Sequence, residues 1–335
     1  MPGPQREAAM LPHYMAALRM KERWGRAEIV FWLGWVAVYF LFPSSLLFAS
    51  QVLITGLFAL SLDLILGYAG IVTLGHTAFF GLGAYTAGLL TVHGVHEPLI
   101  GLVAAGAVAG VAGWLTSFLV LRGSDLARLM ITLGIAMLLH EIANRATEIT
   151  GGVDGLQGVE VGALFGLFRF DLQGRLAYLY VLGVTFAIFV LVRALIVSPY
   201  GLTLRAIREN SRRAVVIGVP IRARLTNIYT FAAFIAGVAG ALLTQTTAFV
   251  GIDVLGFQRS ADLLIILIIG GTATLYGGFL GAIAFLMAQD QLASLDARYW
   301  LFWLGLLLVL ITLYMRSGIM GGLRQLAALW RRSRK

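Results

Sequence analysis

Long apolar runs separated by short polar breaks extend along the chain from residue 28 to residue 316. A membrane-crossing helix needs about 20 mostly apolar residues, because each adds about 1.5 Å toward a hydrocarbon core of about 30 Å. The runs predict ten segments: 28–48, 50–67, 71–92, 98–121, 126–147, 175–197, 225–247, 261–273, 277–290 and 299–316. The pattern predicts an all-α fold, a polytopic transmembrane helical bundle.

Composition supports a membrane protein. Of the 335 residues, 59% are hydrophobic and 12% are charged, whereas about a quarter are charged in ordinary soluble domains. The chain has no cysteine, which excludes disulfides, thiolate metal sites and cysteine nucleophiles. The net charge of +9 does not indicate nucleic-acid binding, because the basic residues flank apolar runs and form no patch on a soluble fold.

The distribution of arginine and lysine predicts the orientation of the bundle. Basic residues collect in the two termini, around residues 122–128 and in residues 193–224, so these regions are expected to be cytoplasmic. A cytoplasmic C-terminus requires the apolar run 261–290 to form two short segments or one broken re-entrant segment. The glycine-rich stretch 270–278 supplies the interruption, which must lie in protein or line water.

Three regions of the chain are expected. Residues 1–27 form a cytoplasmic or interfacial N-terminal segment, residues 28–316 form the transmembrane domain, and residues 317–335 form a basic interfacial tail. Both terminal regions combine arginines with apolar residues at helical spacing, which is typical of helices lying on a membrane surface. The apolar run from Ile29 lacks the short core and cleavage site of a signal peptide, so we expect it to be retained.

Residues 198–224 form the long inner loop. Pro199 predicts that the preceding helix ends near Ser198 and that a short amphipathic helix begins at about Leu202. Its polar face would carry Arg205, Arg208, Glu209 and Arg212, with Leu204, Ile207 and Val215 or Val216 opposite. Arg208 and Glu209 are expected to project from the surface without burying core volume. Such a helix suits either a cytoplasmic partner or an anionic lipid surface.

Ionisable residues within predicted spans are candidates for function, since they are costly in a membrane. Asp63 and His76 flank a glycine-containing break at residues 67–75, and both a translocation pathway and interhelical hydrogen bonding are open to them. His140 and Glu141 are adjacent and point to different helix faces, which favours structural pairing.

Aromatic residues after the break either line an apolar passage or contact lipid. The predicted translocation pathway comprises Asp63, Gly67, Gly75, His76, Phe79, Phe80 and Tyr85. The sequence shows no nucleophile with a base partner and no histidine pair at metal-ligand spacing, so we expect no catalytic site and no metal or cofactor in this chain. It also lacks a phosphate-binding loop.

Four stretches identify a family resemblance. They are Leu66–Tyr85, Thr150–Leu156, Ser198–Gly201 with Arg205–Asn210, and Gly270–Gly281. Their residues, order and spacing resemble the permeases of branched-chain amino acid ABC importers, the LivM-type subunits. Two departures stand out: Arg212 and Arg213 occur where the family often has alanines and an acidic residue, and Asp63 occurs where asparagine is common.

The resemblance implies a subunit of the bacterial inner membrane with several partners. These are a second homologous permease, two cytoplasmic ATPase subunits that bind ATP and Mg, and an external substrate-binding protein. The inner-loop helix would then be the coupling helix, with contact residues Leu204, Arg205, Ile207, Arg208, Glu209, Asn210 and Arg212.

Other functions and several substrates remain open. The main rival is a proton-coupled secondary transporter that uses intramembrane carboxylates, and another is a structural membrane subunit. Related importers carry branched-chain amino acids, urea, amides or aromatic acids.

Overall fold

The computed structural model describes residues 25–164, 166, 174–295, 298–314 and 318–322. In this part of the chain the main helices are α1 (Arg26–Leu41), α2 (Leu46–Asp63), α3 (Thr77–Val92), α4 (Pro98–Val120), α5 (Asp125–Arg145), α6 (Arg175–Val197), α7 (Pro199–Glu209), α8 (Ser211–Val216), α9 (Ile221–Thr247), α10 (Phe257–Gly270), α11 (Gly277–Leu295) and α12 (Trp300–Tyr314). The predicted all-α architecture is confirmed for the described residues.

Two predicted segments, 28–48 and 71–92, contain a part that is not α-helical. Segment 28–48 is interrupted after Leu41, where Pro43 opens a 3-10 turn, Pro43–Ser45. Proline lacks the N–H that would continue the helix. Segment 71–92 becomes helical only at Thr77, because residues 69–76 form an irregular connection that begins with Gly70 at φ +75°.

Among the described residues, six helical stretches are long and apolar enough to cross a membrane. They are Pro43–Tyr68, Pro98–Val120, Asp125–Arg145, Arg175–Val197, Ile221–Thr247 and Gly277–Leu295. The other predicted segments, α1, α3, α10 and α12, have 14 to 16 residues and extend only about 21 to 24 Å. Ten crossings, and a cytoplasmic location of both termini, therefore stay predictions.

Helices α2 and α9 form the centre of the bundle. Helix α9 packs against α3 and α4, while α2 packs against α6 and α11. Gly83 of α3 lies against the backbone of Gly237 of α9, and no side chain would fit between them. Small residues let helices approach this closely in a membrane, where packing and hydrogen bonding hold them together.

The predicted interruption of segment 261–290 is confirmed. Helix α10 ends at Gly270, α11 begins at Gly277, and residues 271–276 turn between them. Gly281 lies against the Ile266 carbonyl, so the two helices return alongside each other. This turn, the α10–α11 break, contacts the end of α2 through Ala273 and Asp63.

The inner loop forms two helices, where one had been expected. Helix α6 ends at Val197, as Pro199 predicted, but α7 begins at Pro199 itself and not at Leu202. Proline is favoured in the first helical position, where its missing N–H has no partner to lose. Helix α7 ends at Glu209. Asn210 follows with an extended backbone (φ −157°), and its side-chain oxygen caps α8.

The predicted apolar face is right for α7 and wrong for α8. Leu204 and Ile207 are buried as expected, with 0% and 5% of their surfaces exposed. Val215 or Val216 was expected on the same face, but the two residues are 61% and 85% exposed. The turn of direction at Asn210 rotates α8, so that Ala214 packs inward instead.

The predicted interfacial helices at the termini fall largely outside the described residues. Of residues 1–27 and 317–335, only residues 25–27 and 318–322 are described.

Candidate coupling and translocation site

Helix α7 is attached to the end of α2. Helix α2 finishes in a π-helical turn, Leu64–Tyr68, whose last carbonyls lack partners within the helix. A side-chain N–H of Arg208 donates to the Gly67 carbonyl, and the Arg205 guanidinium lies 5.4 Å from the centre of the Tyr68 ring. Arg208 is exposed, as expected for a residue that buries no core volume, but its long side chain also reaches the bundle.

Asp63 connects the same turn to the α10–α11 break. Its side chain is fully buried, and Oδ1 accepts a hydrogen bond of 2.7 Å from the backbone N–H of Ala273. A Cβ at position 67 would overlap both the Asp63 carboxylate and the Ala273 nitrogen. Glycine is therefore required at Gly67 for this close approach.

The two contacts lie four residues apart at the end of one helix. Arg208 of α7 is hydrogen-bonded to Gly67, and Asp63 is hydrogen-bonded to Ala273 of the break. Helix α7 and the break therefore contact the same turn of α2. Rigid, hydrogen-bonded elements of this kind can carry a displacement from one site to another. A cavity of about 980 Å³ adjoins them and is lined by Tyr68, Arg205 and residues of the break.

Tyr200 fixes the start of α7 on α9. Its hydroxyl donates to the Arg224 carbonyl at 2.8 Å, and the Arg224 guanidinium lies over the Tyr200 ring at 4.9 Å. Burial raises the pKa of the Tyr200 hydroxyl, and the Arg224 charge partly offsets the rise. The hydroxyl therefore remains a donor at neutral pH. Sequence reasoning missed this contact, although the Ser198–Gly201 motif contains the residue.

The other predicted coupling residues are less engaged. Glu209 and Arg212 are exposed, and Asn210 serves as the cap of α8 by accepting the Arg213 N–H at 3.0 Å. Arg212 follows the change of direction at Asn210, so it does not share the polar face of α7. The expectation of one continuous polar face from Arg205 to Arg212 is wrong.

His76 is held by an interhelical hydrogen bond. Its Nε2 lies 2.8 Å from Ser61 Oγ, whose own hydrogen is donated to the Phe58 carbonyl at 2.6 Å. The bond joins His76, in the connection before α3, to Ser61 of α2. The ring also stacks on Phe58, with centroids 5.7 Å apart. This geometry supports the hydrogen-bonding interpretation, while a role in translocation stays a prediction.

The three aromatic residues of the predicted pathway are buried. Phe79, Phe80 and Tyr85 have 2%, 1% and 6% of their surfaces exposed, which excludes the lipid-contact interpretation. Phe79 meets Tyr229 edge-on at 5.6 Å. Phe80 packs on Phe58 at 4.4 Å.

The predicted pathway residues have different neighbours in the structure, and their common role stays a prediction. Asp63 and Gly67 lie at the α7 end of α2, whereas His76 and Phe80 pack on Phe58, and Phe79 meets His76 edge-on. Gly75, which directly precedes His76, lies against the Thr132 backbone of α5.

Glu141 on α5 has a structural partner. Glu141 forms an ion pair of 2.6 Å with Arg145, one turn away on an exposed helix face. Structural pairing is confirmed for Glu141, with Arg145 as its partner.

Comparison with known proteins identifies the family. Residues 44–312 match the family described as the branched-chain amino acid transport system permease component. The chain belongs to this permease family. The match covers α2 to α12, including the α2 turn, α7 and the α10–α11 break. This permease is thus a membrane-spanning subunit of an ABC importer.

Two curated relatives have the same extent of similarity. The high-affinity branched-chain amino acid transport system permease proteins LivM of Salmonella typhimurium and Escherichia coli are each 30% identical over 301 residues. Each alignment covers 81% of this chain and 69% of the relative. No solved structure matches the chain at a significant level.

Proposed function

We propose that this permease carries branched-chain amino acids or related small polar solutes across the bacterial inner membrane. It works with a second homologous permease, an external binding protein and two cytoplasmic ATPase subunits, which bind ATP and Mg. The relatives' names support the substrate class, since both belong to branched-chain amino acid transport systems. The basic inner loop supports a cytoplasmic position for α7.

Helix α7 is the proposed coupling helix. The contact between Arg208 and the Gly67 carbonyl carries this assignment, because it joins an exposed helix outside the spans directly to α2. When the ATPase subunits close, they move α7. The turn at Gly67 then moves with it, and Asp63 passes the displacement to Ala273 in the break.

Helix α7 is built to move as a unit. Leu204 and Ile207 bury its apolar face, and Tyr200 ties its first turn to the start of α9. Its exposed polar side offers Glu209 to a partner. A charge-assisted hydrogen bond there would be worth about 1.5 to 3 kcal/mol.

Reconstitution with native partners tests this function. Affinity purification of the chain should recover ATPase subunits and a second permease. Proteoliposomes of the complex should accumulate leucine with ATP and binding protein, and should not do so without ATP. Leucine uptake by this chain alone, driven by a proton gradient, would overturn the proposal in favour of a secondary transporter.

A further inference from the structure

A second, smaller cavity lies between α2, α10 and α11. Its volume is about 230 Å³, and its polar lining comprises Gln51, Thr55, Arg259, Asp262 and Gln289. Gln51 and Thr55 precede Asp63 by 12 and 8 residues on α2, which is about 18 and 12 Å along the axis. The cavity is therefore at the end of the bundle remote from α7.

Arg259 is held at this cavity by neighbouring side chains. Its guanidinium lies 5.4 Å from the centre of the Phe80 ring and 3.6 Å from Asp253. The next residue, Ser260, is hydrogen-bonded to Thr77 at 2.8 Å, which fixes this part of α10 against α3. The Arg259 side chain remains 35% exposed. A fork of five N–H donors thus lies where a carboxylate can reach it.

Asp262 presents the opposite charge one turn further along α10. Residues three apart on a helix share a face, with Cβ atoms about 5 to 6 Å apart. Asp262 accepts a hydrogen bond of 3.0 Å from Gln258. Within the described residues, no cationic group forms an ion pair with Asp262 at 4.0 Å or less. Its carboxylate is available to an incoming cation.

The remaining walls of the cavity are apolar. Phe58, Leu263, Ile266 and Phe285 line it beside the two charged residues. Its volume is below the range of about 300 to 1,000 Å³ typical of pockets for drug-sized ligands, so it suits a smaller solute. A basic group, an acidic group and an apolar wall together match a molecule with a carboxylate, an ammonium and an aliphatic side chain.

We propose that this cavity is a binding site for a zwitterionic α-amino acid, with Arg259 on its carboxylate and Asp262 on its ammonium. The proposal rests on the function proposed above and assigns the residues that recognise the solute. A neutral amide or urea would leave Arg259 with only Asp253 as an ionic partner and Asp262 with none, and a simple carboxylate would still leave Asp262 without a cation. Both losses are costly in a partly desolvated site.

The absence of cysteine allows a direct test. The change Thr55→Cys places a single thiol of this chain in the cavity, and Val153→Cys places a control thiol on a residue that is 78% exposed. The complex is treated with a cationic methanethiosulfonate. The background rate, measured in the complex without an introduced cysteine, is subtracted from the modification rate. L-Leucine, leucinamide or 4-methylpentanoate is present at millimolar concentration.

Leucine should slow modification at position 55 at least tenfold. Leucinamide lacks the carboxylate and 4-methylpentanoate lacks the ammonium, so each should slow it less than twofold. No compound should protect position 153. Equal protection by all three, or none by leucine, would overturn the site. If the modification rate at position 55 is already negligible without any solute, the cavity is closed or filled by lipid. That result would also overturn the site.

Charge removal provides an independent measurement. Arg259→Gln and Asp262→Asn should each abolish leucine protection and lower ATP-driven leucine uptake at least tenfold, while Arg259→Lys retains part of both. The matched controls are Glu141→Gln and Arg145→Gln, which remove an exposed ion pair on α5. They should stay within twofold of the unaltered protein. Unchanged protection and uptake in both cavity variants would overturn the assignment.

The two proposals fail in distinguishable ways. Thiol protection is measured without ATP, so it does not depend on transport. Intact protection without ATP-driven uptake in the unaltered complex would contradict the proposed function alone. ATP-driven leucine uptake without protection would contradict the binding site alone.

Discussion

Oδ1 of Asp63 accepts the backbone N–H of Ala273 at 2.7 Å, joining residues 210 positions apart. The bond matters because Ala273 has a positive φ of 58°, a conformation that non-glycine residues rarely adopt. A buried side chain thus holds the α10–α11 break in a strained shape. The same turn of α2 accepts Arg208 from α7.

The first prediction concerns the charge of Asp63. Asp63→Asn keeps an oxygen that can accept the Ala273 N–H, so ATP-driven uptake should stay within about threefold of the unaltered protein. Asp63→Ala leaves that partly buried N–H without its partner, which costs about 1 to 3 kcal/mol. Uptake should fall at least tenfold. Uptake in proteoliposomes with matched protein content measures both.

Loss of uptake in Asp63→Asn, with partners still bound, would contradict this account. It would show that the charge itself is used and would favour the proton-coupled alternative.

The second prediction concerns the strain at Ala273. Ala273→Gly removes the penalty of a left-handed alanine, which is about 1 to 2 kcal/mol. The thermal midpoint of the purified permease should therefore rise or hold, although glycine also gains freedom in the unfolded chain. Ala273→Val should lower it, because a β-branched residue tolerates positive φ poorly. A higher midpoint for valine than for glycine would contradict the assigned conformation.

The third prediction concerns Gly67. Gly67→Ala places a methyl group where Asp63 and the Ala273 nitrogen already lie. Overpacking typically costs about 1 to 3 kcal/mol, and here it also separates the hydrogen-bonded pair. Uptake should fall at least tenfold, whereas Gly34→Ala should leave it unchanged, because nothing lies within 4 Å of that Cβ. Equal uptake in both variants would show that the close approach is not needed.

Sequence patterns predicted the helices better than their contacts. The apolar runs located the interruption at 270–278, and Pro199 located the end of α6. The sequence patterns did not reveal that Asn210 splits the inner-loop helix. Its extended backbone leaves no sign in the spacing of apolar residues, because the segment is too short. The error with Val215 and Val216 follows from that missed cap.

The contacts of the candidate site join residues that are far apart in the sequence. Asp63 stood out as a charge in an apolar run, but its partner is a backbone N–H of Ala273, which has no side-chain signature. Arg259 and Asp262 were not predicted as site residues from the sequence. Their common cavity appears only when α2 and α11 pack against α10.

The fourth prediction concerns topology. Reporters fused after Asn210 and after Lys335 should both report the cytoplasm, and one fused at Asp154 should report the outside. The positive-inside distribution gives this expectation. An external Lys335 together with a cytoplasmic Asn210 would require an odd number of crossings after α7. That result would contradict the placement of α10 and α11 as a pair.

The fifth prediction concerns transmission from α7. Arg208→Ala removes the donor to Gly67 while leaving Leu204 and Ile207 buried, so insertion and ATPase association should hold. Uptake per ATP hydrolysed should fall at least fivefold. Arg212→Ala on α8 is the matched control and should retain the ratio, because Arg212 is exposed and lies beyond the Asn210 bend. A larger loss in Arg212→Ala would place the contact on α8.

Site-specific cross-linking tests the central claim, that α7 is the surface on which the ATPase acts. Because the chain has no cysteine, Glu209→Cys and Val153→Cys each introduce one thiol, the first on α7 and the second in a predicted outer loop. A short thiol-to-amine cross-linker is applied to the active complex, and adducts are identified by mass spectrometry. The account predicts ATPase adducts from position 209 and none from position 153. ATPase adducts from position 153 alone, in a complex that still performs ATP-driven uptake, would contradict it.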